Sequence, residues 1–222
     1  MLKLLEKENL GLDDIASAKP RQVLVCLCLD CSYSMRTNGK IDQLNKSVRK
    51  FIEQNAKNPY SCNELDLCII AYGGDSPKVV CDFTNIQKVY FEDLKANGIT
   101  PMGEAVNLAL DKIIEERKLL RQEGTAIAKP LLFIFGDGKD SFPDGEAMKE
   151  AVANTQALVS ANKLNVECVG VGNFDKSDLE RFCPGKEVIT FKELEMEQVF
   201  EMLSKSTEEL STECGDDWKM LR

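Results

Sequence analysis

The chain has 222 residues, 43% of them apolar and 29% charged, with a formal net charge of −9 and no histidine. That length and balance suit one large globular domain with a buried core, and no apolar run approaches the ~18 residues that a bilayer crossing needs. Without histidine, Ser-His-Asp and Cys-His catalysis, His-containing zinc sites and imidazole proton shuttles are excluded; the acidic balance, with Lys and Arg scattered, argues against a nucleic-acid footprint.

The first twenty residues, MLKLLEKENLGLDDIASAKP, carry Lys3, Glu6, Lys7 and Glu8 before any apolar stretch forms, so they do not read as a secretory leader. They are taken as an N-terminal extension, 1–20. VLVCLCL (23–29) is a continuous apolar run too short for a helix and rich in strand formers, as expected of a central strand buried on both faces. Beyond a loop with Asn38 and Gly39, residues 41–54 place Ile41, Leu44, Val48, Phe51 and Ile52 on one helical face. LDLCIIA (65–71) and KVVCDF (78–83) flank YGGDSP, a Gly and Pro signal for a reversal, so one strand of a hairpin is expected to run antiparallel.

Thr100-Pro101 opens a second helix, with Val106, Ala109, Leu110, Ile113, Ile114 and Arg117 at helical spacing and an end near Gly124. LLFIFG (131–136) is a further buried strand, followed by the loop DGKDSFPDG and a helix through Met148, Ala151, Val152, Thr155, Leu158 and Val159. VECVGVG (166–172), a short helix over 176–183, EVITF (187–191) and a last helix over 195–210 complete the series. Alternating strands and helices predict a doubly wound α/β fold: a mostly parallel sheet with one antiparallel edge strand and helices on both faces. The domain spans 21–211, and 212–222 is an acidic tail.

In such a sheet, ligands bind beyond the carboxyl ends of the strands where the winding reverses. Asp30, Ser32 and Ser34 follow the first strand, Thr100 precedes the second long helix, and Asp137 follows LLFIFG. Singly, the hydroxyls serve as turn residues or N-caps and Asp137-Gly138 as a turn dipeptide. Together, two carboxylates and three hydroxyls at one edge make an all-oxygen set suited to a hard cation such as Mg²⁺, with Mn²⁺ or Ca²⁺ as alternatives.

DCSYS (30–34), TPMGEAV (100–106) and FGDG (135–138), in that order and spacing, resemble the three parts of the metal-ion-dependent adhesion site of von Willebrand factor type A domains. The Thr-Pro-x-Gly-Glu-Ala run and NVECVGVGNFDKSDLERF are most similar to compact bacterial members, including those associated with tellurium resistance. The resemblance implies that Ser32, Ser34 and Thr100 contact the metal, that Asp30 and Asp137 act directly or through water, and that one position stays open for a partner protein's Asp or Glu carboxylate. It also implies a non-catalytic binding module whose last helix shifts with the ligand loops. The family usually has a small residue where Tyr33 stands, which places a phenol at the rim.

An enzyme alternative is a haloacid-dehalogenase-like Mg²⁺-dependent phosphatase, which also starts with Asp after the first strand. That chemistry needs a second acid two residues on, and Ser32 stands there. Nine cysteines raise a thiolate alternative through Cys28-x-x-Cys31. Cys26, Cys28 and Cys68 lie in apolar runs, where cysteine packs as a small hydrophobe, and Cys62, Cys81, Cys168, Cys183 and Cys214 form no second pair for zinc. Reduced thiols in a cytoplasm fit this usage; Cys31, in the metal loop, is the cysteine expected to be accessible.

Overall fold

The computed structural model describes residues 21–59 and 61–191. The extension 1–20, the helix expected over 195–210 and the tail 212–222 lie outside the described residues. The first strand, β1 (Arg21–Asp30), is buried continuously from Val23 to Asp30. A kinked 3-10 segment, Tyr33–Gly39, leads into helix α1 (Lys40–Lys57). Strands β2 (Leu65–Tyr72) and β3 (Lys78–Asn85) follow, then helix α2 (Met102–Gln122), β4 (Ala126–Ile127), β5 (Leu131–Gly136), helix α3 (Glu146–Ser160), β6 (Asn165–Val171) and β7 (Ile189–Phe191).

Among the described residues the sheet runs β3-β2-β1-β5-β6-β7, with β4 paired to the start of β1. Every pairing is parallel except β2 with β3. This is the expected mixed sheet with one antiparallel edge. Strand periodicity sorts β1 between two cores. Val23, Val25, Leu27 and Leu29 join Leu44, Val48 and Phe51 of α1 on one face. Cys26 and Cys28 join Met102, Ala105, Val106 and Ala109 of α2, and Met148 and Ala151 of α3, on the other. Small side chains let α2 sit close to the sheet, and the Cys28 thiol reaches the Ala105 carbonyl at 3.8 Å.

Three local expectations differ. The helix expected over 176–183 is only a 3-10 turn, Leu179–Arg181; the segment is too short to nucleate alone, and a residue before proline, as Cys183 is before Pro184, is disfavoured in the helical region. Strand β7 starts at Ile189, two residues later than expected. Ile114 is 39% exposed rather than on the inner face of α2.

The chain winds from β1 to β2 on one side and returns through α2 to β5 on the other. The reversal therefore lies between β1 and β5, whose carboxyl ends are Asp30 and Gly136.

Candidate metal centre

Asp30 ends β1 and is fully buried. Its Oδ1 accepts the Ser32 backbone N–H at 2.7 Å, and its Oδ2 accepts the Asp137 N–H at 3.4 Å. Burial pushes the Asp30 carboxyl up to about 6; hydrogen bonds from Ser32 pull it down, and the neighbouring Asp137 charge pushes it up again. Tyr72, its register partner on β2, donates to the Phe135 carbonyl at 2.6 Å, tying β2 to β5 beneath the site.

The turn made by Asp30 brings two hydroxyls together, with Ser32 Oγ and Ser34 Oγ 2.9 Å apart. Ser32 is buried, and Met35 anchors the following segment in the core. Between the serines, Tyr33 points outward at 63% exposure with the Arg36 guanidinium over its ring at 5.1 Å. Cys31 instead lies against Gly73, where an added Cβ would sit 2.8 Å from its sulfur.

Thr100 reaches this edge through its backbone. Asn97 N–H donates to the Cys31 carbonyl at 2.7 Å, and Tyr33 N–H donates to the Gly98 carbonyl at 3.0 Å. Thr100 N–H donates to Ser141 Oγ at 2.8 Å, and Ser141 N–H returns a bond to the Thr100 carbonyl at 3.0 Å. The loop before α2 is thus stitched to the loops after β1 and β5, leaving Thr100 8% exposed.

Asp137 follows β5, and its carbonyl accepts Asp175 N–H at 3.0 Å. Gly138 makes that approach feasible: its φ is +96°, and a Cβ there would lie 1.5 Å from the Asp175 carbonyl oxygen.

Sequence reasoning missed two groups at this edge. Lys40, the first residue of α1, is 8% exposed and places Nζ 3.1 Å from Asp137 Oδ2. A cation at a helix N-terminus opposes the macrodipole, and that misplaced charge was the available signal. Asp140, also 8% exposed, accepts the Gly103 N–H of α2 at 2.8 Å and a second N–H from Phe142. Its backbone N–H donates to Asp178 Oδ2 at 3.1 Å.

The structure therefore brings Asp30, Ser32, Ser34 and Asp137 together through direct bonds, with Thr100 held to the same edge by its backbone. The set fits a hard divalent ion: every candidate donor is oxygen, three are neutral hydroxyls, and a buried carboxylate raised to about 6 lacks a full counter-charge. The thiols do not fit one. Cys26 is held well above the usual thiol range by its neighbours Cys28 and Cys68 and by burial, and burial beside Asp30 pushes Cys31 up to about 11. Among the described residues, no three Cys, Asp or Glu side chains gather as a metal-binding group, so any ion at this edge depends on the hydroxyls.

Residues 25–205 match the von Willebrand factor type A domain. No curated protein matches the chain in sequence. Among solved structures it resembles the VWA domain of SpRpn10, with a TM-score of 0.54 and 15% identity over 85% of this chain and 95% of that one. It also resembles the vWF domain of the type V pilus tip protein Mfa5 from Porphyromonas gingivalis, with a TM-score of 0.53 and 11% identity over 91% of this chain and 100% of that one. A third likeness is to proximal thread matrix protein 1 of the mussel byssus, solved with a zinc-occupied MIDAS motif, at a TM-score of 0.51 and 16% identity over 86% of this chain. The chain spans about half of that protein, 45% in this form and 48% in another. At such identities the likeness is one of fold.

Proposed function

The chain belongs to the von Willebrand factor type A family, and on that premise we propose that it is a non-catalytic protein-binding module that holds Mg²⁺ at a metal-ion-dependent adhesion site. The observation that carries the proposal is the bonded set at the end of β1: a fully buried Asp30 turning Ser32 Oγ to within 2.9 Å of Ser34 Oγ, with Asp137 on its other oxygen. Ser32, Ser34 and Thr100 offer neutral oxygens, and Asp30 and Asp137 supply the charge. When bound, a divalent cation supplies an electrophilic position that accepts an outside Asp or Glu carboxylate. Mn²⁺ and Ca²⁺ are alternatives, and the zinc-occupied site of the mussel protein supports a divalent ion in this fold.

Finer readings belong to the same proposal. Kinship with the compact bacterial members, including those associated with tellurium resistance, rests on the runs at 100–106 and 165–182. A cytoplasmic setting is supported by free thiols at Cys26, Cys28, Cys31, Cys62, Cys68, Cys81, Cys168 and Cys183.

The test is binding of immobilised peptides that differ only in Glu against Gln, in Mg²⁺ and in EDTA. Retention that requires both Mg²⁺ and Glu supports the proposal. Metal-dependent hydrolysis of a generic phosphomonoester that disappears in Asp30→Ala would replace it with the phosphatase reading.

A further inference from the structure

Strand β6 and the 3-10 turn that follows it bring two thiols together. Cys168 of β6 lies in the core shared with α2 and α3, and Cys183 rejoins that core after the chain has looped out and back. Phe174 closes the loop onto the strand, leaving no room for a Cβ on Gly170. Gln156 of α3 donates to the Arg181 carbonyl at 2.8 Å and holds the turn in place. Both thiols donate to one acceptor, the Leu179 carbonyl, Cys168 at 3.3 Å and Cys183 at 3.5 Å.

The two are unequal. Hydrogen bonding between them lowers the Cys183 thiol and raises that of Cys168, so Cys183 is the first to become a thiolate, the reactive form. It is also the nearer to solvent, 4% exposed against 0% for Cys168, with exposed Pro184, Gly185 and Lys186 directly after it. Cys26 has thiol neighbours too, Cys28 and Cys68, but all three are 0% exposed on the central strands.

We propose that Cys168 and Cys183 form an oxidation site, which hydrogen peroxide converts into a disulfide that fastens the intervening loop to β6. The Cys183 thiolate attacks the peroxide: an S–O bond forms, the O–O bond breaks, and the departing hydroxide takes up the thiol's proton as water. The Cys168 sulfur then attacks the sulfenic sulfur: the S–S bond forms, the S–O bond breaks, and hydroxide leaves with the Cys168 proton as a second water. The pair loses two electrons, which the peroxide accepts. Hydrogen peroxide is little larger than water, so it reaches a sulfur that bulkier alkylating reagents meet only on unfolding. The loop carries Asp175, whose N–H donates to the Asp137 carbonyl at 3.0 Å, and Asp178, which accepts the Asp140 N–H at 3.1 Å. Oxidation therefore stiffens a support of the candidate metal edge, whether or not an ion is bound there.

The experiment treats the full chain with hydrogen peroxide, blocks the remaining thiols in denaturant and maps tryptic peptides without reductant. Peptides 164–176 and 182–186, which carry Cys168 and Cys183, should appear joined and should separate in dithiothreitol. Closing a loop of about 15 residues should raise Tm by roughly 6–12 °C and slow exchange of the Asp140 and Asp175 amides about tenfold or more. In Cys168→Ala the second step cannot follow, and dimedone should trap Cys183 as its sulfenic acid; a protein without that adduct would overturn the order of attack. Peptides that stay unjoined in the unaltered protein, or Cys183 joined to another cysteine, overturn the inference. Joined peptides with unchanged Tm and exchange overturn the fastening of the loop.

Discussion

Asp30 folds the chain back on itself: its Oδ1 accepts the backbone N–H of Ser32, two residues on, at 2.7 Å. One side chain therefore sets the turn that presents the Ser32 and Ser34 hydroxyls, and it does so from a fully buried position. Its charge and its shape both enter the site.

The charge gives a pH dependence. The folded protein holds a proton on Asp30 up to about 6, whereas the ordinary value is 3.8. Between those values the folded state binds more protons than the unfolded state, so stability falls as pH rises. In EDTA this group should remove about 3 kcal/mol between about pH 4 and pH 7. Asp30→Asn removes that component, as urea unfolding across the range will register; an unchanged slope would assign the titration elsewhere. Mg²⁺ has the opposite sign, and its stabilisation should grow as pH rises through about 6, because protons compete for the carboxylate.

Gly138→Ala should cost at least about 2 kcal/mol, combining left-handed strain with a steric clash. Its Cβ would fall 1.5 Å from the Asp175 carbonyl oxygen, so Asp137 or the loop at Asp175 must move. Urea unfolding measures the cost, and a reduced thermal response to Mg²⁺ would report the displacement of Asp137.

Asp140→Ala should cost about 1–3 kcal/mol, since the buried N–H of Gly103 loses its acceptor, as does the more accessible N–H of Phe142. Thr100 is tied to the neighbouring Ser141 in both directions. The substitution should therefore also weaken Mg²⁺ binding, and Asp140→Asn, which retains one acceptor oxygen, should recover part of it.

Thiol labelling separates the oxygen and sulfur readings of the first loop. Cys26, Cys28, Cys68, Cys168 and Cys183 are buried and should react only on unfolding, whereas Cys31, Cys62 and Cys81 are half-buried. Of these three, Cys31 should be slow, with its thiol pushed up to about 11. Peptide mapping after brief alkylation checks the order, and rapid modification of Cys31 would contradict it.

Much of this edge was legible because its parts are continuous in sequence. The alternation of Val23, Val25, Leu27 and Leu29 with Cys26 and Cys28 marks a strand buried on both faces, and Asp30, Ser32 and Ser34 follow where it ends. Gly-Gly and Pro between β2 and β3 announced the antiparallel edge. Lys40 was not legible, because its partner lies 97 residues away and only the fold brings α1 to the loop after β5. Asp140 was hidden likewise, as it accepts an N–H from a helix 37 residues earlier. Periodicity misled over 176–183, where Pro184 limits a short apolar pattern to one 3-10 turn.

The central claim is that Asp30, Ser32, Ser34, Thr100 and Asp137 hold a divalent ion. Thermal unfolding with and without Mg²⁺ tests it most directly, since an ion that binds only the folded state raises Tm by mass action. The account predicts a concentration-dependent rise in the unaltered protein that is absent in Asp30→Ala; an equal rise in Asp30→Ala would contradict it.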